Sequence, residues 1–257
     1  MTLPIMDDIT RDDDSNALPG CLSFTEESEA KDVESWRALE SAIHSCASCP
    51  RLRHHRSKVA RKKVKRHEGE VYWGKPVCGF GDPSARLFLL GLAPGAQGAN
   101  RTGRMFTGDP SSDFLMKGLQ ESGFANLPHS RSRGDGLQVS DVWISSAVKC
   151  VPPSNRPSAR EFRLCSKWLK AELELLSEAR VFLGIGRDGY LAFLKHFGLS
   201  IQNYPFAHGA LYQFDRGWLM GSYHTSRYNV QTGRLDAKML RELFEKVRKV
   251  LASLDQG

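Results

Sequence analysis

Four short, largely apolar runs constrain the fold of this chain more than any other feature: Arg86 to Leu90, Val142 to Val148, Val181 to Gly184 and Trp218 to Tyr223. Each has strand length, and Ala210 to Phe214 is placed to pair with the last as a hairpin. Helical patterns occupy Glu34 to Ser45, Ser112 to Ser122, Ser158 to Glu178, Asp188 to His196 and Asp236 to Leu254. Strands alternating with helices predict a three-layer α/β/α fold around a central, mostly parallel four-stranded sheet. Ligands of open α/β sheets bind beyond the carboxyl ends of the strands. Gly91 to Asp109, Lys149 to Pro157 and His224 to Arg234 all follow such ends, so one cleft is expected to gather three loops.

The length of 257 residues suits one domain, expected over 33–257, preceded by an acidic tail over 1–32 with the composition of a disordered segment. No apolar run approaches the roughly 18 residues of a membrane span, and the acidic N-terminus lacks the basic region of a signal peptide, so a cytoplasmic protein without membrane contact is expected. The net charge of +7 conceals an asymmetry. Residues 1–40 carry eleven acidic and three basic side chains, whereas 51–66 holds nine Lys or Arg and no acid. Such a run is either a solvated loop or a polyanion-binding surface that gains affinity by releasing counterions from phosphates. A monomer is expected.

The loop after the first strand reads Gly91-Leu-Ala-Pro-Gly-Ala-Gln-Gly-Ala-Asn-Arg-Thr-Gly-Arg-Met-Phe-Thr-Gly-Asp109. Its glycines allow close backbone approach to a ligand, Arg101 and Arg104 can meet phosphate, Phe106 offers an aromatic face and Asp109 a carboxylate. The loop after the last strand reads Tyr223-His-Thr-Ser-Arg-Tyr-Asn-Val-Gln-Thr-Gly-Arg234. Together, in this order, the two segments resemble the motifs of the uracil-DNA glycosylase superfamily, specifically its family 5 branch, over roughly residues 44 to 250.

The resemblance implies a monofunctional DNA glycosylase that removes deaminated bases from duplex DNA to leave an abasic site. Flipping a nucleotide out of the stack costs a few kcal/mol, and the departing base must then be held and its charge stabilised. On the family pattern, Phe106 stacks on the base within a pocket that includes Gly91 and Ala93. His224 donates to the carbonyl gaining negative charge, and Asn155 presents an amide to base or water. Asn100, Arg101, Arg104, Ser226, Arg227, Asn229 and Arg234 are expected at the DNA, with Tyr228 as a wedge. Most branches place an acid or amide where this chain has Leu92, a family 5 trait, so Asp109 is the expected base and Asp113 the runner-up. Asp109-Pro110 also reads as a helix cap, a role that would compete for the same oxygens. Ser146 stands where related branches carry a base-reading Asn, and its shorter side chain should admit hypoxanthine and xanthine beside uracil. Gly95 and Gln97 depart from the common Ala and His, which bears on base preference.

Cys46-x-x-Cys49, Cys150 and Cys165 form two pairs suited to metal, and zinc and a [4Fe-4S] cluster are close to equal on ligand chemistry alone. The family resemblance implies the [4Fe-4S] cluster. Two other patterns carry less. Gly184-Ile-Gly-Arg-Asp-Gly189 has dinucleotide-loop spacing but no acidic residue near twenty positions on, and no G-x-S-x-G elbow supports a Ser-His-Asp hydrolase. No motif positions a lysine for a Schiff-base lyase step. The alternatives from other classes are a catalytically silent nucleic-acid-binding module and a zinc-stabilised nucleotide hydrolase.

Overall fold

The computed structural model describes residues 30–256. Most of the expected acidic tail, including Cys21, lies outside the described residues. The elements are α1 (Ala30–His44), α2 (Pro50–Lys62), β1 (Phe80–Gly81), β2 (Leu87–Gly91), α3 (Ala99–Thr102), α4 (Pro110–Glu121), β3 (Val142–Ser146), α5 (Ala159–Leu175), β4 (Val181–Ile185), α6 (Arg187–Phe197), β5 (Leu211–Phe214), β6 (Gly217–Ser222), α7 (Arg227–Gln231) and α8 (Ala237–Leu254). Short 3-10 turns cover Lys65–His67 and Pro153–Asn155.

The six strands form one sheet in the order β1-β3-β2-β4-β6-β5. Its centre is the expected parallel quartet, with Leu87 opposite both Val142 and Val181, and Val181 opposite Trp218. Antiparallel β1 and β5 extend the two edges, which makes the whole sheet mixed. Period-two alternation sends Leu87, Leu89, Val142, Ile144, Val181, Leu183 and Met220 to one face, against Leu115 and Leu119 of α4 and Leu240 and Phe244 of α8. Phe88, Leu90, Trp143, Phe182 and Leu219 go to the other, against Trp36 of α1, Leu173 of α5 and Phe193 of α6. Both faces being buried explains why these strands read as continuous apolar runs. No helix among the described residues is long and apolar enough to cross a membrane.

The glycine pattern after β4 serves packing. A Cβ on Gly189 would lie 2.1 Å from the Leu90 carbonyl oxygen, and one on Gly184 2.4 Å from the Tyr190 backbone nitrogen, so these glycines let α6 seat on β2 and β4. The basic run folds through Lys62 as helix α2, opened by Pro50 at its first turn, and ends in the 3-10 turn at Lys65–His67. Only Leu52 and Arg56 of α2 are buried, which left no apolar stripe to mark it as a helix.

A buried ion cluster joins β3, α5 and the loop that carries Cys150. Lys149 Nζ donates to both Glu172 carboxylate oxygens at 2.8 Å, Ser145 Oγ donates to the same carboxylate at 2.9 Å, and Gly79 N donates at 3.2 Å. The Lys149 and Glu172 side chains are 2% and 1% exposed.

His44 on α1 packs edge-on against Trp73 at 4.8 Å. Burial, then the charges of Arg133 and Lys75, push its pKa down from 6.5 to about 4. The unfolded chain therefore takes up this proton first, and stability is lost as pH falls from 6.5 towards about 4. The loss reaches on the order of 3 kcal/mol by linkage. His44→Gln is expected to flatten the fall of the melting temperature across that window, measured by thermal denaturation; an unchanged slope would refute this assignment.

Candidate active site

A cavity of about 380 Å³ opens at the carboxyl ends of the parallel strands, within the size range of small-ligand sites. The loop after β2 contributes Ala93, Phe106 and Asp109 to its wall, the 3-10 turn Asn155, the start of α6 Gly186 and Asp188, and the loop after β6 His224 and Ser226. All three expected loops thus meet at one cleft.

Phe106 sits with φ of 43°, a left-handed conformation uncommon for a side-chain-bearing residue, and its ring rests on Gly91, where a Cβ would lie 3.1 Å from Cζ. Its centroid is 6.4 Å from the His224 ring, at 33° between planes. Asn155 and its neighbour Ser154 are also left-handed, at φ of 55° and 53°.

Asp109 divides its two oxygens between the tasks that seemed to compete. Oδ1 accepts from Ser112 N at 3.0 Å, capping α4, while Oδ2 faces Gly95 and Gly98. A Cβ on Gly98 would lie only 2.0 Å from Oδ2, so that glycine is required for the carboxylate to sit there. Burial raises the Asp109 pKa, opposed by the Ser112 and Ser111 backbone N–H groups. Asp113 is exposed on α4 and does not line the cavity.

His224 packs against Gly186, where φ is 83° and a Cβ would lie 3.2 Å from the His224 Cβ. Its carbonyl accepts from Asn229 Nδ2 at 2.8 Å, which fixes the turn that presents the ring. Burial lowers its pKa, with the Asp188 carboxylate partly opposing, so the imidazole is neutral at pH 7 and donates through a single N–H. Asp188 escaped the sequence reading because its turn was taken only as a helix start; its position after a strand end was the available signal. A link from the first turn of α4 to the second motif loop, Ser111 Oγ to Thr225 Oγ1 at 2.8 Å, had no sequence signal.

Four expected site residues lie elsewhere. Ser146 is fully buried behind the cavity wall, its Oγ donating to Val148 O at 3.1 Å and lying 3.5 Å from Sδ of the wall residue Met105. Asn100 is fully buried and donates to Arg56 O at 3.4 Å. Arg104 is 4% exposed, held by Ser130 Oγ at 2.6 Å and by Asp135 at 2.8 Å. Arg101 bonds the Gln97 and Gly108 carbonyls at 2.8 Å and pairs with Glu70. A buried guanidinium must be paired, and these two arginines brace the glycine-rich loop from inside instead of meeting phosphate. Arg227, Arg234 and Tyr228 are exposed beside the cleft, Tyr228 at 72%, and Ser226 caps α7 by accepting from Asn229 N at 3.4 Å.

Comparison with known proteins bears directly on this site. The family model described as the uracil DNA glycosylase superfamily matches residues 78–248. The chain belongs to the uracil-DNA glycosylase superfamily. It is similar to a type-5 uracil-DNA glycosylase of Thermus thermophilus, 46% identical over 83% of this chain and 97% of that one. Type-5 uracil-DNA glycosylases of Mycobacterium leprae (43%; 82% of this chain, 94% of that one) and Pyrobaculum aerophilum (46%; 79% and 87%) are similar too.

In this superfamily member the four paired cysteines line a second, smaller cavity between α2, the loop after β3 and α5. Lys149 N donates to Cys165 Sγ at 3.2 Å and Arg56 Nη1 to Cys150 Sγ at 3.1 Å. Burial pushes the Cys165 thiol up to about 12 and raises Cys150. Among the described residues, the His, Cys and acidic donor atoms that come within 4.8 Å of one another in a group of three belong to Glu40, His44 and Cys78. Arg56 Nε and Trp168 Nε1 on the wall of the cysteine cavity are buried without hydrogen-bond partners. Buried N–H groups on a wall that also carries four thiols suit a group with its own acceptors, as inorganic sulphide has. The Glu40–His44–Cys78 trio differs: Arg133 is 3.4 Å from Glu40, and a positive field disfavours a cation there.

Proposed function

We propose that this protein is a monofunctional DNA glycosylase that hydrolyses the N-glycosidic bond of uracil, hypoxanthine and xanthine in duplex DNA, leaving an abasic site. The observation that carries the reading is the convergence of Phe106, Asp109 and His224 on one base-sized cavity. The flipped base lies against the Phe106 ring, which Gly91 backs from behind, with Ala93 beside it and Asn155 at its edge or at the water. Asp109 takes a proton from the water as its oxygen bonds to C1′, the C1′–N bond breaks, and the pair of electrons leaves on the base. His224 donates its N–H to the base carbonyl that gains the charge. The cavity wall carries no lysine, in keeping with an abasic product and no Schiff base.

Ser226, Arg227, Asn229 and Arg234 grip the backbone and Tyr228 fills the space that the flipped nucleotide leaves. The cations of α2 add sequence-independent affinity. Cys46, Cys49, Cys150 and Cys165 hold a [4Fe-4S] cluster whose part is structural: it would tie the N-terminal end of α2 to the loop after β3. The enzyme acts as a monomer.

Base release from labelled duplexes containing U:G, U:A, hypoxanthine:T or xanthine:C, revealed by alkali, tests the reading. Alkali-dependent cutting is expected. Binding that leaves every base attached would overturn it in favour of a silent binding module. Because the base must be ionised and burial raises the Asp109 pKa, activity is expected to fall on acidification at a higher pH than an ordinary aspartate would give. An acid limb in the usual aspartate range would assign the proton acceptor elsewhere.

A further inference from the structure

Arg56 occupies an unusual position for a residue of a basic run. It is 9% exposed, on a helix whose other arginines and lysines are largely at the surface. Its side chain lines the cysteine cavity, where Nη1 reaches Cys150 Sγ at 3.1 Å and Nε has no partner. Its carbonyl, at the other end of the residue, accepts from Asn100 Nδ2 in the glycine-rich loop at 3.4 Å. A buried guanidinium without a carboxylate partner is costly unless an anionic group faces it. The group that faces it is the Cys150 sulphur, a residue whose thiolate form a bound metal stabilises.

We propose that Arg56 is a tuning and positioning residue of the metal centre: its guanidinium would donate N–H groups to the Cys150 sulphur and to the cluster held there, while its carbonyl ties that centre to the base-binding loop through Asn100. Trp168 adds a second donor from α5. Its Nε1 is buried on the same cavity wall as the four cysteines. Hydrogen bonds to cluster sulphurs stabilise the more negative, electron-richer form and so set both the reduction potential and the resistance to oxidation. A charge-assisted donor has roughly twice the strength of a neutral one, so Arg56 has the larger effect. The inference rests on the [4Fe-4S] reading above.

The test uses the full chain purified anaerobically, with iron and sulphide content, visible absorbance and the rate of bleaching by ferricyanide measured for wild type, Arg56→Lys, Arg56→Gln and Trp168→Phe. Arg56→Gln is expected to bleach about fivefold faster and Trp168→Phe about twofold faster, with Arg56→Lys between them and wild type because it keeps the charge and loses the fork. Should Arg56→Gln fail to fold, Arg56→Lys and Trp168→Phe carry the comparison. Equal iron loading with unchanged bleaching rates in the variants overturns this inference and leaves the cluster reading intact. Wild type that purifies with zinc, or with no iron, overturns the cluster reading first and this inference with it.

Discussion

His224→Ala is expected to lower single-turnover base release by about 100-fold or more, the effect of removing one preorganised donor worth roughly 3 kcal/mol. Binding of damaged duplex should change little, because the ring lies inside the cavity while Arg227, Arg234 and Tyr228 lie exposed outside it. The neutral state of His224 makes a further distinction possible. A neutral donor titrates below the ordinary histidine range, so base release should show no step near pH 6.5. Asp109→Asn is the matching variant. Asparagine caps a helix about as well as aspartate, so the bond to Ser112 N survives and α4 stays anchored. A loss of about 100-fold or more in Asp109→Asn at unchanged melting temperature isolates the chemistry from the cap. Near-wild-type rates in Asp109→Asn would remove it from the reaction; near-wild-type rates in His224→Ala would do the same for the histidine.

The second large effect is on stability. Glu172→Ala would leave the Lys149 ammonium buried at 2% exposure without its carboxylate, and would strip acceptors from Ser145 and Gly79 N. Breaking one side of a buried pair typically costs about 3–5 kcal/mol. For a chain of this size that corresponds to a fall in melting temperature on the order of 10 °C. Removing both charges with apolar residues of similar volume, Lys149→Met with Glu172→Leu, should restore most of the loss, since the pair itself offsets a large desolvation cost. A melting temperature unchanged by Glu172→Ala would mean that water or relaxation satisfies the lysine. The site is adjacent in sequence to Cys150, so iron content should be followed in the same samples.

The parallel quartet was legible because strands buried on both faces read as unbroken apolar runs, and their order of helices between them followed. The edge strands were less so. β1 is two residues long and leaves no periodicity, whereas β5 was marked by the hairpin spacing to β6. Helix α2 went unread because its stability comes from a proline start and tertiary anchoring at Leu52 and Arg56, not from an apolar stripe. At the cleft, Asp109, Phe106, His224 and Asn155 share one cavity wall because their loops all follow strand ends. Arg101 and Arg104 were assigned to phosphate on charge alone, and charge does not reveal which way a guanidinium turns.

Local residue order thus determined the alternation of strands and helices, the three loops at the strand ends and the family to which they belong. Those follow from short-range pattern: side-chain period, glycine and cap chemistry, and motif spacing. Only the tertiary structure decided the rest, because burial and pairing depend on residues distant in the chain. Asp135 draws Arg104 inward from 31 positions away. Gly186 makes room for His224, and Ser146 lies behind the cavity wall with its hydroxyl on the Val148 carbonyl. Arg56 meets Cys150 across 94 residues and so faces a sulphur where the sequence offers only one more cation in a basic run.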